Sequence, residues 1–418
     1  MPTSLPTANG PSVLLTLTAP FHRWDGALYL ENQTISGLKA WADHFSRVVA
    51  ASVCLHTPPP PGWSSISASG LTEYPIELVE LPNGYDRAVF LKNRAAVSDR
   101  FFEIMGRCTY NLFAIGGWIG DWGVTGALTA QRYALPHGIW FDRVESQVIL
   151  NSSDANLRSR VAAQIKSAVV RFNERRLLKH ADLALLHGRT VFEQLGPLTR
   201  NPHIVEDIHL TDEDRIAPKR LERKVMDAGA APLRIVYAGR ATAMKGPLDW
   251  VEVIADVVHK GVDLRADWLG DGELLDEMKA HAVRLGVADR VTFHGFVADR
   301  AVVLDALRDA HVLLFCHKTD ESPRILIEAL HAGTPLVGYV DPFARGLVDE
   351  NQAGLLSARS DNSALTSAIV QLATNRPMLQ DLISAAAASA KHLTREEVFK
   401  HRSEIIKSEL ATNPLLTS

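Results

Sequence analysis

Short apolar runs alternate with longer amphipathic stretches along most of the chain. Runs that predict buried strands lie at residues 12–18, 47–54, 76–81, 110–115, 181–186, 233–238, 264–269, 290–293 and 311–315. Between them, apolar residues recur at helical spacing, as at residues 28–45, 273–285 and 299–308. Strands that alternate with helices indicate parallel sheets covered on both faces, so the predicted fold class is α/β.

The chain has 418 residues, too many for one compact core. Residues 201–232 are polar and densely charged, with three prolines, and separate two series of elements. We predict an N-terminal domain at residues 1–215, a linker at 216–232, a second domain at 233–392 and a final helix within 393–418.

Composition narrows the functional classes. A net charge of −4 argues against a nucleic-acid partner. The three cysteines, Cys54, Cys108 and Cys316, have neither metal-ligand nor disulfide spacing, which predicts a reducing, cytoplasmic environment and no metal site. No apolar run is long enough to span a bilayer. Membrane contact is therefore expected to be peripheral.

A glycine-rich segment at residues 116–123 follows the strand at 110–115. In open α/β sheets, ligands bind where such segments leave the carboxyl ends of strands. The segment is either a tight turn or a binding loop. Likewise, Trp118 and Trp122 either stack on sugar rings or pack in the core.

Residues 157–179 form a basic helix pattern. Val161, Ile165, Val169 and Phe172 make its apolar stripe, and seven arginines and lysines accompany the single Glu174. A solvated face explains this composition. An anionic membrane surface is the alternative partner.

The second domain begins with a strand at residues 233–238 that runs into Gly239 and Arg240, with Lys245 at the next helix start. Two cations at the carboxyl end of a strand, beside a glycine that lets a ligand approach the backbone, predict a diphosphate site.

An acidic segment organises the end of this domain. Asp320 and Glu321 precede Pro323, which suits the first turn of a helix, and Glu328 lies inside that helix. The helix N-terminus suits a phosphate. Carboxylates beside it suit sugar hydroxyls.

These motifs together resemble the family 4 retaining glycosyltransferases. Gly-Arg, Lys-Gly, Gly-Asp-Gly at 270–272, Asp-Arg-Val and His-Gly at 289–295, and the acidic helix occur in the family's order. The resemblance implies the GT-B architecture, in which two Rossmann-like domains face each other across a cleft and the C-terminal helix crosses back to the first domain.

The resemblance also implies roles for individual residues. Arg240 and Lys245 neutralise the diphosphate, and Asp320 or Glu321 holds the donor sugar. Alignment on Pro323 favours Asp320, whereas Glu321 keeps the chemical type and the longer reach, and we favour Glu321. The donor-binding residues are Gly26, Gly239, Gly270, Gly272, Gly295, Phe296, Val297, Ser322, Pro323, Arg324 and Glu328. In the first domain, His137 is a candidate for the reaction, and the acceptor-binding candidates are Gly117, Trp118, Trp122, Asp142 and Glu145.

The predicted function is transfer, with retention, of a sugar from a UDP- or GDP-linked donor to a glycan or lipid-linked acceptor in polysaccharide or glycoconjugate biosynthesis. No cofactor is expected. The alternatives are a GT-B protein of another class, such as a sugar-nucleotide epimerase, and a non-catalytic sugar-nucleotide binding module. Release of free nucleoside diphosphate in the presence of an acceptor separates a transferase from both.

Overall fold

A computed structural model of the chain describes residues 10–117, 120–151, 157–230, 232–320 and 322–416. The chain divides into two compact units. The first combines residues 1–209 with 395–418, and the second is residues 210–394. The chain therefore leaves the first unit once and returns to it.

The first unit contains ten strands. They are β1 (Ser12–Thr16), β2 (Phe21–Trp24), β3 (Ala27–Glu31), β4 (Arg47–Leu55), β5 (Trp63–Ser65), β6 (Ile76–Leu81), β7 (Tyr110–Ala114), β8 (Gly138–Phe141), β9 (Leu183–His187) and β10 (Pro202–Val205). Its helices are α1 (Asn32–Ala42), α2 (Ile66–Ser69), α3 (Arg87–Met105), α4 (Trp122–Arg132), α5 (Glu145–Asn151), α6 (Leu157–His180) and α7 (Gly188–Leu195).

Parallel pairing joins eight of these strands: seven follow the order β6-β4-β1-β7-β8-β9-β10, and β2 makes a short parallel pairing with the end of β4. The register pairs Leu14 of β1 with Val49 of β4. Both are fully buried, as expected for a sheet covered on both faces. The predicted Rossmann-like arrangement is confirmed for this unit.

One predicted helix is partly wrong. Residues 28–45 were expected to be helical, but β2 and β3 form an antiparallel hairpin before α1 begins at Asn32. The turn is Asp25-Gly26, and both residues have positive φ, 48° and 73°. An Asp-Gly pair between apolar residues is a strong hairpin signal, and it prevails here over the helical spacing.

The second unit is a parallel sheet with helices between its strands. The strands are β11 (Leu233–Ala238), β12 (Leu264–Leu269), β13 (Val291–Gly295), β14 (Val312–Phe315), β15 (Leu336–Tyr339) and β16 (Gly354–Ser357), in the order β13-β12-β11-β14-β15-β16. The helices are α8 (Pro218–Ala228), α9 (Pro247–His259), α10 (Leu275–Arg284), α11 (Arg300–Asp309), α12 (Arg324–His331), α13 (Pro342–Asn351), α14 (Asn362–Thr374) and α15 (Arg376–Ser389).

A last helix, α16 (Arg395–Glu409), returns to the first unit. Phe399, Ile405 and Ile406 are buried in the same apolar cluster as Trp41 of α1. The Phe399 and Trp41 ring centroids are 5.3 Å apart at an interplanar angle of 76°, an edge-to-face contact. The expected return of the C-terminal helix to the first domain is confirmed.

Candidate functional site

In the second unit, the loops that leave β11 and β12 are hydrogen-bonded to each other. The Gly239 amide donates to the Leu269 carbonyl at 2.8 Å, and the Ala241 amide donates to the Asp271 carbonyl at 2.9 Å. A Cβ atom on Gly270 would lie 2.0 Å from the Gly239 carbonyl oxygen. Side chains are excluded at this junction, so the backbones of the two loops lie in direct contact.

The loop that carries Lys245 is tied to the end of β14. The Lys318 amide donates to the Met244 carbonyl at 2.8 Å. Gly246 has φ of +60°, and a Cβ there would lie 2.1 Å from the Cys316 carbonyl oxygen. The loops after β11, β12 and β14 therefore form one connected edge, with Arg240 and Lys245 on it.

The charge of Lys245 affects the pKa of a buried histidine behind this edge. Burial, together with Lys245, lowers the pKa of His317 to about 3. Its Nε2 lies 2.8 Å from the Tyr237 hydroxyl. His317 is thus neutral. Its ring packs behind the strand ends and adds no positive charge beside Lys245.

An exposed aromatic ring follows β13. Gly295, with φ of +67°, ends the strand and forms a bridge with Gly270. Phe296 is 78% exposed, which is unusual for phenylalanine. Val297 follows it and is half-buried. The structure therefore places the predicted base-binding segment at the same edge as the glycine loops.

The acidic segment lies between β14 and α12. Pro323 is the N-terminal cap of α12, one position earlier than the predicted first turn, and its carbonyl accepts from the Leu326 amide at 3.1 Å. Ser322 is half-buried and Arg324 exposed beside it. Asp320 forms an ion pair with Arg359. Glu321 lies outside the described residues.

Glu328 is largely enclosed within α12. Its side chain is 19% exposed, and Arg300 Nε lies 3.6 Å from Oε1. Burial raises the pKa of Glu328, while Arg300 acts in the opposite direction. Arg300 was missed because α11 and α12 meet only in the fold, and no local spacing connects the two residues.

The first unit has its own cavity of about 450 Å³ at the carboxyl ends of β1, β4 and β7. This is the edge where α/β sheets bind ligands. The residues that give its wall polar or charged character include Thr18, Ser52, Tyr85, Asp121, Asp142 and Arg143.

Asp121 shapes the glycine loop on this cavity. One carboxylate oxygen accepts from the Gly116 and Gly117 amides at 2.7 and 2.9 Å. The other accepts from Gly123 and Val124 at 2.7 and 3.3 Å, capping α4. Burial raises the pKa of Asp121, and the four amides oppose that rise. An aspartate just before the helix start was the available sequence signal, and we missed it.

The two tryptophans predicted to bind the acceptor have different outcomes. Trp122 is buried, its ring centroid lies 4.6 Å from that of Phe90, and its N–H donates to the Pro82 carbonyl at 2.8 Å. Its ring and its N–H are thus both engaged by the protein, but Trp122 also lines the cavity, so its predicted role in acceptor binding stays a prediction. Trp118 lies outside the described residues, whereas Gly117 does line the cavity.

The remaining candidate residues of the first domain lie in different places. Asp142 lines the cavity and accepts from the Trp140 indole. Glu145 starts α5 and pairs with Arg143 at 2.8 Å. His137 precedes β8, at the opposite edge of the sheet, and is 2% exposed. Burial lowers its pKa, so its predicted role in the reaction is corrected to a structural one. Gly26 is a hairpin turn residue with positive φ, and its predicted donor-binding role stays a prediction.

Comparison with known proteins identifies related sequences and folds. Residues 219–389 match the family model described as glycosyl transferases group 1. A 2-deoxystreptamine N-acetyl-D-glucosaminyltransferase of Streptomyces fradiae is 29% identical over 233 residues, 54% of each chain. The amylovoran biosynthesis glycosyltransferase AmsK of Erwinia amylovora is 24% identical over 46% of this chain and 49% of its own. The chain thus aligns with about half the length of these curated relatives.

The fold likeness covers nearly the whole chain. The crystal structure of Anabaena Alr3699/HepE in complex with UDP matches 95% of this chain and 100% of that one, with a TM-score of 0.62 and 15% identity. A WaaG structure, of a glycosyltransferase involved in lipopolysaccharide biosynthesis, matches 95% of this chain and 100% of its own, with a TM-score of 0.61 and 13% identity.

Proposed function

Because the chain has the GT-B fold and carries a group 1 glycosyl transferase domain at residues 219–389, we propose that it is a retaining glycosyltransferase. It takes a sugar from a UDP- or GDP-linked donor and transfers it to a glycan or lipid-linked acceptor in glycoconjugate biosynthesis. The reaction as proposed needs no cofactor. The observation that carries the proposal is the connected edge of the second unit, where Arg240 and Lys245 lie beside the glycines at which the loops after β11 and β12 meet.

The donor is bound along that edge. Phe296 offers its exposed ring to the base. Glu328 accepts hydrogen bonds from ribose hydroxyls and is kept in place by Arg300. The diphosphate meets Arg240 and Lys245 and the amide groups at the start of α12.

The chemical step is a displacement at the anomeric carbon. Its bond to the diphosphate oxygen breaks, and a bond to the acceptor hydroxyl oxygen forms on the same face. The acceptor proton passes to the leaving phosphate. Arg240 and Lys245 stabilise the negative charge that develops on that leaving group. Asp320 or Glu321 holds the sugar hydroxyls, and the ion pair of Asp320 with Arg359 favours Glu321 for this role.

The acceptor site is the cavity of the first unit. Asp142, Arg143 and Tyr85 supply polar groups on its wall, and the Tyr85 hydroxyl donates to the Thr18 carbonyl at 3.3 Å. A few placed polar groups in a cavity of several hundred Å³ suit a sugar-sized ligand.

The exposed face of α6 supports a membrane partner. Ala163, Val170 and Leu177 are buried, whereas Ile165 and Phe172 are 63% and 68% exposed. At 100° per residue, these two point on average about 150° away from the three buried residues. The apolar stripe seen in the sequence therefore faces away from the core.

Basic side chains flank this exposed stripe. Arg160, Arg171 and Arg175 lie on one side of it at helical spacing, Lys166 lies on the other, and Arg176 lies in line with the stripe. Apolar side chains bordered by cations are the arrangement with which a helix lies on an anionic membrane. We propose that α6 binds the inner face of the membrane, where a lipid-linked acceptor would be reached.

Two variants test the donor site. Arg240→Ala and Lys245→Ala should each lower turnover at least tenfold, because each removes one charge-assisted contact to the leaving group. Labelled UDP- and GDP-sugars are incubated with a panel of glycan and polyprenyl-phosphate-linked acceptors, and transfer of label is measured. Lys260→Ala, at an exposed position after α9, is the matched control. Unchanged turnover in both donor-site variants would remove the assignment.

The same assay separates the alternatives. A transferase releases nucleoside diphosphate in proportion to labelled product. An epimerase converts the donor sugar without acceptor, and a binding module releases nothing. The anomeric configuration of the product, read by NMR, must match that of the donor if transfer is retaining.

Vesicle binding tests α6. Co-sedimentation with phosphatidylglycerol vesicles should fall steeply with salt and should be lost on Arg171/Arg175/Arg176→Glu or Ile165/Phe172→Ser. Equal binding to neutral phosphatidylcholine vesicles, or no binding to either, would leave α6 a solvated helix.

A further inference from the structure

A second cavity lies at the other edge of the second unit's sheet. It has a volume of about 430 Å³ and is formed by α8, the start of β11 and the end of α11. β11 runs from this edge toward Gly239, so the cavity and the donor loops lie at opposite ends of the same strand.

Even without the buried Lys224, the wall of this cavity carries an excess of three positive charges. Two carboxylates, Asp227 and Asp309, stand among six basic side chains. These are Lys219, Arg220, Arg223, Lys224, Arg234 and Arg308. The whole chain is net negative, so this concentration of cations is local.

The carboxylates at this cavity already form contacts with its arginines. Arg220 binds both Asp305 and Asp309 at 2.7 Å, and Arg234 Nε donates to the Asp309 carbonyl at 2.6 Å. These contacts hold two guanidinium groups in fixed orientations. Their planar geometry matches the oxygens of a phosphate.

A buried lysine lies behind the wall. Lys224 Nζ donates to the carbonyls of Leu307 and Ala332 at 3.2 and 2.9 Å and to the Thr334 hydroxyl at 2.6 Å. All three acceptors are neutral, and burial lowers the pKa of Lys224 well below its usual range. Burial, followed by Arg234, also lowers the pKa of the nearby His311 to about 3, so the positive charge of this cavity lies on its arginines and on Lys219.

Two further cations face solvent. Lys219 and Arg223 are one helical turn apart on α8, and neither has an ion-pair partner among the residues that the structure describes. Both are exposed at the cavity mouth. They can accept an anion without first breaking an existing pair.

We propose that this cavity is a binding site for a phosphorylated ligand, distinct from the donor site and specific for two or more adjacent phosphate groups. Its volume suits a small molecule. Its preformed guanidinium groups and the available Lys219 and Arg223 provide more donors than a single phosphate needs. A soluble phosphate ester and a phospholipid headgroup share this chemistry.

The test uses inorganic diphosphate as the probe and the Arg240→Ala/Lys245→Ala protein as the background, because diphosphate would otherwise also bind at the donor loops. Calorimetry should show one site in this background. Adding Lys219→Gln/Arg223→Gln should weaken binding at least tenfold, since two charge-assisted contacts are removed. Lys260→Gln/Lys391→Gln removes the same charge at exposed positions elsewhere in the unit and should change affinity less than twofold.

No heat of binding in the background protein, or equal weakening by the test and control pairs, would overturn the proposal. All four positions are exposed, and far-UV circular dichroism checks that each variant folds. Phosphatidylcholine vesicles that carry a polyprenyl diphosphate form the second arm, with Ile165/Phe172→Ser added so that α6 does not contribute. If these vesicles bind more tightly than inorganic diphosphate and Lys219→Gln/Arg223→Gln weakens both, the phosphates are those of a lipid headgroup; if not, they are those of a soluble ester. Failure of the transferase assay would leave both arms interpretable, because neither measures turnover.

Discussion

The guanidinium carbon of Arg402 lies 4.2 Å from the centre of the Trp140 ring. Arg402 belongs to α16 and Trp140 to β8, and the Trp140 indole donates to Asp142 on the cavity wall. Arg402 also donates to Asp207 at 3.0 Å. The last helix thus supports the wall of the first unit's cavity through one buried cation.

Arg402→Met should destabilise the protein by about 3 kcal/mol, because it leaves the largely enclosed Asp207 without its cation. Urea denaturation measures the change. Arg395→Met, on the same helix but in a more exposed pair with Glu396, should cost less than about 1 kcal/mol. In the Asp207→Asn background, the cost of Arg402→Met should shrink. Full additivity would show that the pair is not coupled.

Gly270→Ala should weaken nucleoside diphosphate binding and lower stability, because its Cβ would meet the Gly239 carbonyl at 2.0 Å. Gly286→Ala is the matched control, since Gly286 also has positive φ but no atom within 4 Å of its built Cβ. The control should lower the free energy of unfolding only by the backbone strain of roughly 1 kcal/mol. Isothermal titration with UDP and GDP and thermal melts compare the two, and equal effects would mean that the loop junction does not shape the site.

Three nearly isosteric changes assign the acidic segment. Glu328→Gln should weaken UDP or GDP binding about tenfold, the scale of a hydrogen bond to a charged group. Glu321→Gln should leave that binding unchanged and lower turnover. Binding is measured by calorimetry and turnover by transfer of label. If Asp320→Asn loses turnover while Glu321→Gln does not, the position aligned on Pro323 faces the sugar and our preference for Glu321 is wrong.

Asp341 should make stability depend on pH. It caps α13 by accepting from the Ala344 amide at 2.8 Å, and burial raises its pKa from 3.8 to about 6. The folded state therefore holds a proton that the unfolded state has lost between these values, so stability is lost as the pH rises through this window.

Asp341→Asn keeps a capping side chain and removes the titration. The stability of this variant relative to the wild type should therefore be greater at pH 7.5 than at pH 4.5, by about 2 kcal/mol. Urea denaturation at the two pH values measures the difference. Asp361→Asn, at an exposed cap of α14, is the control, and a constant difference for Asp341→Asn would refute the raised pKa.

Much of the second unit could be predicted from local sequence. Its apolar runs are strands, fully buried in β14 and partly buried in β12 and β13, and the glycines that follow β11 and β12 and that end β13 mark the loops of the site. Gly270 illustrates the reason. Its close contact with the Gly239 backbone leaves no room for a side chain, and the glycine that this contact requires can be read directly from the sequence. The match to the glycosyl transferase family model confirms the resemblance inferred from these motifs.

Residues whose role depends on tertiary contact could not be found this way. Arg300 reaches Glu328 from another helix, and Arg402 reaches Trp140 from the far end of the chain. In α6, the periodicity identified the apolar stripe correctly but did not show that the stripe faces away from the core. Small residues such as Ala163 and Ser167 are buried instead, because they allow close packing against neighbouring elements.

The discontinuous first unit also has a consequence for synthesis. Phe399, Ile405 and Ile406 fill the core around α1, yet the ribosome makes them only after all of residues 210–394. The second unit has its whole sequence available earlier and can fold while translation continues. The unit begun first is therefore completed last, and until α16 emerges, the apolar surface around Trp41 needs protection by a chaperone or by the ribosome itself.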